Sequence, residues 1–138
     1  MIKALLICDS AGYAFYSKNI DSKLKSMDPI LLAGLISAIG ALGKQLFEEE
    51  IAKISYGNGL LSKNIVVVTQ EMFGFEKVIY FVFVTTGEID YELIRKLRSA
   101  IYIGAKNDLK NTSNLKDIKG LQNKIDRIVN SFAQHLFH

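Results

Sequence analysis

Groups able to do chemistry are few in this chain and poorly placed for it. Both histidines, His135 and His138, lie in the last four residues. A Ser-His-Asp triad or a Cys/His zinc site needs imidazole in fixed relation to hydroxyl, carboxylate or thiolate groups, and no such spacing occurs. The single cysteine, Cys8, sits in the apolar run Ala4-Leu5-Leu6-Ile7-Cys8. There it reads as a small buried hydrophobe, suited to a reducing compartment. The run Glu48-Glu49-Glu50 could attract a metal, but three consecutive carboxylates at a helix end point in different directions and read as a solvated stretch. Gly57-Asn58-Gly59 lacks the following Lys-Ser/Thr helix of a phosphate-binding loop, and no G-x-G-x-x-G pattern occurs. It reads as a turn. The aromatics Phe15, Tyr16, Tyr56, Tyr80, Phe81 and Phe83 have no accompanying arginine set, so they predict core rather than a nucleic-acid platform. Neither catalysis, nor a cofactor, nor a metal is expected.

The 138 residues are enough for one domain, 49% hydrophobic and 22% charged, with no linker-like stretch and no internal repeat. Residues 1–103 balance eleven Lys/Arg against eleven Asp/Glu. Residues 104–138 hold six basic and three acidic groups, and so carry the whole +3. That excess suits either a solvated helix face or an acidic partner or membrane surface. Met1 runs almost directly into an apolar strand with no export signal. The longest apolar run, 29–43, is shorter than the about 20 residues a membrane-spanning helix needs. A cytoplasmic protein with at most peripheral membrane contact is expected.

The elements that would position any site follow from patterning. Ile2–Asp9 and Tyr13–Asn19 read as a hairpin around Gly12. Asp28 caps and Pro29 opens a helix to about Phe47. Strands follow over Ile51–Asn58, Asn64–Gln70 and about Lys77–Thr86, with Phe73-Gly74-Phe75 in a loop. A helix is predicted from about Tyr91 to Ile103, capped by Asp90 and stopped by Gly104. A polar linker, 105–113, then leads to a last helix over 114–136. Asn114 and Asp117 make a capping-box-like start to it. Leu115, Ile118, Leu121, Ile125, Ile128, Phe132 and Leu136 form its apolar stripe. That stripe predicts docking on the sheet face opposite the first helix, with a loose, partner- or membrane-binding helix as the alternative. The core is 1–104, and the order is ββαβββαα.

Unbroken apolar runs mark the first, fourth and fifth strands as central, because strands buried on both faces lose alternation. Ser17 and Lys18, and Lys53 and Ser55, mark the second and third as edges. Joining the hairpin to the three-strand meander gives a mainly antiparallel sheet of order 2-1-5-4-3. Helices on both sides make a three-layer α/β/α sandwich. The first helix is unusual. Leu31, Leu32, Leu35, Ile36, Ile39, Leu42, Leu46 and Phe47 fill one arc. Ala33, Gly34, Ser37, Ala38, Gly40 and Ala41 fill most of the other, with Lys44 and Gln45 its only strongly polar members. An outer helix normally shows charge there. Three glycines inside a helix cost about 1 kcal/mol each against alanine, a cost consistent with close approach of another backbone. The expected partner interface is Ala33, Ser37, Gly40, Ala41 and Lys44, with Lys53 and Ser55 on the neighbouring strand.

The opening Met-Ile-Lys-Ala-Leu-Leu-Ile-Cys-Asp-Ser-Ala-Gly-Tyr-Ala-Phe-Tyr-Ser-Lys resembles the first hairpin of longin domains, and of the related roadblock domains. The ββαβββαα layout over residues 1 to about 136 is similar to the longin order; the helix that precedes the first strand of a typical roadblock domain is missing. The resemblance implies a non-enzymatic platform that pairs through its first helix and third strand. Its partner would be an identical or related longin or roadblock domain, and it would dock or regulate Ras-like small GTPases in trafficking or signalling. A profilin-like module or small-ligand sensor is the competing expectation, since such sandwiches host both roles.

Overall fold

The computed structural model describes residues 2–9, 11–20, 36, 51–56, 62–72, 77–110 and 118–132. Five strands form one sheet: β1 (Ile2–Asp9), β2 (Ala14–Asn19), β3 (Ile51–Tyr56), β4 (Lys63–Met72) and β5 (Lys77–Thr86). Every pairing is antiparallel and the order is β2-β1-β5-β4-β3. The three apolar strands are the central ones, as their lack of alternation requires. Two helices follow, α1 (Tyr91–Lys110) and α2 (Ile118–Ser131).

The β1–β2 turn is set by Asp9. Its carboxylate accepts the amides of Ala11 and Tyr13, both at 3.0 Å, and Gly12 takes φ 84°, a conformation only glycine adopts at no steric cost. Two irregularities tune the sheet. The register shifts between Ile2 and Ala4 against β5, and between Ile7 and Cys8 against β2. An extra residue at such a bulge changes which face a side chain reaches. Ile2 thus joins Leu5 and Ile7 in one core cluster, and Phe15 and Tyr16, though adjacent, both enter it.

That larger cluster lies between the sheet and α1 and α2. From the sheet it takes Val66, Val68, Ile79, Phe81 and Phe83. The opposite sheet face buries Leu6, Cys8, Val67, Tyr80 and Val82 around Ile36, which is helical and fully buried. The described part is thus an α/β fold with two helices on one sheet face and the helical Ile36 on the other. The rest of the predicted 28–47 helix lies outside the described residues, as do Glu48-Glu49-Glu50, Gly57-Asn58-Gly59 and Phe73-Gly74-Phe75.

The structure corrects two element bounds. Strand β4 is longer than expected, running from Lys63 to Met72. The helix expected to stop at Gly104 does break there, Ala105 being non-helical (φ −126°, ψ 15°), but a further helical stretch beyond the kink carries on to Lys110. The cause is packing. Ile94, Leu97, Ile101, Ala105 and Leu109 are all buried, so the inward stripe continues past the glycine, and Lys106 and Asn107 are its exposed outer face. Asp90 caps the helix as predicted, accepting the Leu93 amide at 3.0 Å. Gly104, just before the kink, also serves close approach: a Cβ there would fall 2.7 Å from Ile128 Cδ1. Residues 111–117 of the expected linker and helix start, with Asn114, Leu115 and Asp117, lie outside the described residues, as does Leu136.

Helix α2 is docked on the sheet face opposite Ile36. Leu121, Ile125 and Val129 are buried in the large cluster, with Ile118, Ile128 and Phe132 packed against it. Full burial of one such side chain contributes about 1.5–3 kcal/mol, so three of them are a large share of the ~5–15 kcal/mol that holds a domain folded.

Candidate partner-binding surfaces

Of the expected interface residues, Ala33, Ser37, Gly40, Ala41 and Lys44 lie outside the described residues. Lys53 and Ser55 are exposed on β3, which among the described residues pairs only with β4. Cross-strand partners share a face. Lys53 pairs with Val66 and Ser55 with Asn64, so both lie on the face covered by α1 and α2. Ile54 pairs with Ile65, which packs against the Ile36 cluster. On β3, therefore, Ile54 shares a face with Ile36, whereas Lys53 and Ser55 face the other way. Ser55 has an internal role: its hydroxyl donates to Asn64 Oδ1 at 2.7 Å, and Asn64 Nδ2 donates to the Gly87 carbonyl at 3.2 Å. A buried amide that uses both ends in this way holds the β3–β4 end against the turn after β5.

A second surface was not foreseen from the sequence. Between β2 residues 14–18 and Lys119, Gln122, Asn123 and Asp126 of α2 lies a cleft of about 460 Å³. At its wall the Tyr16 hydroxyl donates to Asp126 Oδ1 at 2.7 Å, and Lys18 Nζ donates to the same oxygen at 3.2 Å and to Asn130 Oδ1 at 2.9 Å. Gln122 Nε2 donates to the Phe15 carbonyl at 3.2 Å. Tyr16 and Lys18 pair with Ile7 and Leu5, so both project toward α2. The Tyr16 hydrogen bond first of all holds the Asp126 carboxyl below its ordinary range; burial opposes it, and the hydrogen bond and charge of Lys18 add to the lowering. Burial first, and Asp126 second, push the Tyr16 hydroxyl well above its ordinary range. These groups satisfy one another. Their arrangement fastens the last helix to the sheet and presents no activated nucleophile.

The sequence signal for this cluster was small. Asp126 is the only acid in Ile118–Ser131, on a helix side that can meet alternate residues of an edge strand. Cys8 is fully buried, and burial, with the nearby Asp9 charge second, pushes its thiol up to about 12. Among the described residues no three His, Cys, Asp or Glu side chains are grouped to hold a metal, and no helix is long and apolar enough to cross a membrane.

No protein-family profile matches the chain, and no curated protein sequence matches it. Among solved structures it is similar to the gliding protein MglB from Thermus thermophilus. That likeness has a TM-score of 0.51 at 14% identity, and spans 94% of this chain and 79% of the other. The order of elements, the 2-1-5-4-3 antiparallel sheet and this likeness together show that the chain has a longin-like fold.

Proposed function

We propose that this chain is a non-catalytic adaptor, acting in the cytoplasm, that pairs with a second longin or roadblock domain and docks or regulates a Ras-like small GTPase. The observation that carries the reading is β3. It is a sheet edge among the described residues, and Ile54, on its Ile36 side, is only partly buried. The small-residue pattern of the 28–47 sequence is the second support for the reading. Edge strands with reachable backbone groups are templates for pairing with another chain, and a two-fold axis beside β3 would extend the sheet across both copies. Lys53 and Ser55 would then flank the junction.

Light scattering tests the pairing. The wild-type chain is expected to be dimeric, or to become so with its partner domain, and Gly40→Leu to be monomeric under the same conditions. A wild type that stays monomeric at high concentration, and that binds no longin or roadblock domain offered to it, would refute the reading. The GTPase arm is read separately, as binding of a Ras-like GTPase in its GDP- and GTP-bound forms.

A further inference from the structure

The net positive charge of this molecule comes from one layer. Helices α1 and α2 hold eight Lys/Arg and three Asp/Glu, a net +5 in a chain of +3, so the remainder of the chain is −2. All three helical acids are already matched: Glu92 with Lys96 at 3.0 Å, Asp108 with Lys124 at 2.8 Å, and Asp126 with Lys18 at 3.2 Å. Arg95, Lys106, Lys119 and Arg127 are exposed and have no carboxylate partner among the described residues. Arg95 and Lys106 lie over the rings of Tyr91 and Tyr102. Arg127 stands two residues from Ile125, a buried member of the inward stripe, and so points away from the sheet, while Lys119 is exposed at the rim of the β2 cleft. Ile103, two residues past buried Ile101, is 78% exposed on the same outward side.

We propose that this outward face of α1 and α2 is a docking surface for an anionic lipid bilayer, with Ile103 as the side chain that enters the headgroup boundary. Charge identifies the occupant as an anion, and the arrangement favours a bilayer. The cations are spread along two side-by-side helices and do not converge on a pocket. A protein partner would have to place a carboxylate opposite each of them, whereas a membrane supplies mobile anionic headgroups wherever a cation lands. Long Lys and Arg stems around one exposed aliphatic side chain are the pattern of interfacial binding. Bound in this way, the chain would turn the opposite, Ile36-bearing side toward the solution. The inference is independent of the proposed adaptor role.

Co-sedimentation with vesicles tests it, using phosphatidylcholine alone and phosphatidylcholine mixed with phosphatidylserine. The wild type is expected to bind only the mixed vesicles, and to lose binding at high salt. Lys106→Gln, Lys119→Gln and Arg127→Gln should each lower the partition coefficient roughly five-fold, and Ile103→Ser should lower it as well. Lys63→Gln removes the same charge from exposed β4, on the opposite sheet face, and should leave binding unchanged. Absence of binding to the mixed vesicles, equal binding to both kinds, or an equal loss in Lys63→Gln would each overturn the proposal. If the protein ignores vesicles but binds poly-glutamate through Lys106, Lys119 and Arg127, the face belongs to an acidic polypeptide. GTPase binding unchanged in the triple glutamine variant would leave the adaptor reading intact whatever the vesicles do.

Discussion

The two edges of the sheet are finished in opposite ways. At one edge, β2 is covered by its own chain: Gln122 takes the Phe15 carbonyl, and Asp126 ties down Tyr16 and Lys18. At the other, β3 shows Lys53 and Ser55 to solvent and pairs only with β4 among the described residues. Topology makes both strands edges, and topology alone would make them equal hazards for uncontrolled pairing. The difference separates their uses. An edge covered by a helix is fixed and serves the fold. An edge that, among the described residues, is guarded by one lysine is where the proposed partner would pair.

The contrast can be broken by experiment, starting where the effect is largest. Ile125→Ala removes a fully buried side chain from the helix that covers β2. A loss of about 2–5 kcal/mol is expected in urea unfolding, in a single transition. A separate early transition would show that α2 detaches on its own, and that the covered edge is covered only conditionally. Tyr16→Phe comes next, at about 1 kcal/mol, because it leaves Asp126 with Lys18 alone.

The same pair predicts a pH dependence. The folded-state pKa of Asp126 is depressed below its ordinary 3.8. Its contribution is therefore complete above pH 3.8 and is lost as the pH falls through the lower folded value. The Tyr16 bond is the first cause of that depression, so acid unfolding curves should be shallower for Tyr16→Phe than for wild type. Identical slopes would mean that the hydrogen bond does not hold the carboxylate. Lys53→Ser gives the smallest effect: within about 0.5 kcal/mol for the isolated chain, with any change appearing in self-association measured by light scattering. A large loss of monomer stability there would mean that β3 is as internally engaged as β2.

Most of the sheet was legible in the sequence. Unbroken apolar runs in β1, β4 and β5 marked the central strands, and Lys18 and Lys53 marked the edges, so the strand order followed from two hairpin rules. The turn at Asp9–Gly12 and the cap at Asp90 were equally plain, because each depends on neighbouring residues. What was missed depends on contacts between distant parts of the chain. Gly104 marks the break at Ala105, but the sequence did not show that helix resumes beyond it to Lys110, nor that Ile128 packs against the glycine. Val129 lies in the core while the predicted Ile128 is half-buried, a shift of one position along the stripe that only the docked angle of α2 decides. Tyr16 and Asp126 are more than a hundred positions apart, and no local pattern announces their meeting. Lys53 and Ser55 were chosen as edge markers, and the register that turns them away from Ile36 becomes visible only with the pairing to Val66 and Asn64.

The placement of β1 beside β5 has a consequence during synthesis. Ile2 pairs with Thr85 and Leu5 with Phe83, so β1 leaves the ribosome about eighty residues before the strand that completes its other side. At about 5–20 residues per second, β1 waits for roughly 4–16 seconds with one apolar edge unfilled. The wait is longer than ordinary hairpin formation by several orders of magnitude. Ribosome-associated chaperones would therefore find an unfilled apolar edge at Ala4–Cys8, and a nascent chain stalled before residue 77 should remain chaperone-bound and protease-sensitive until β5 emerges.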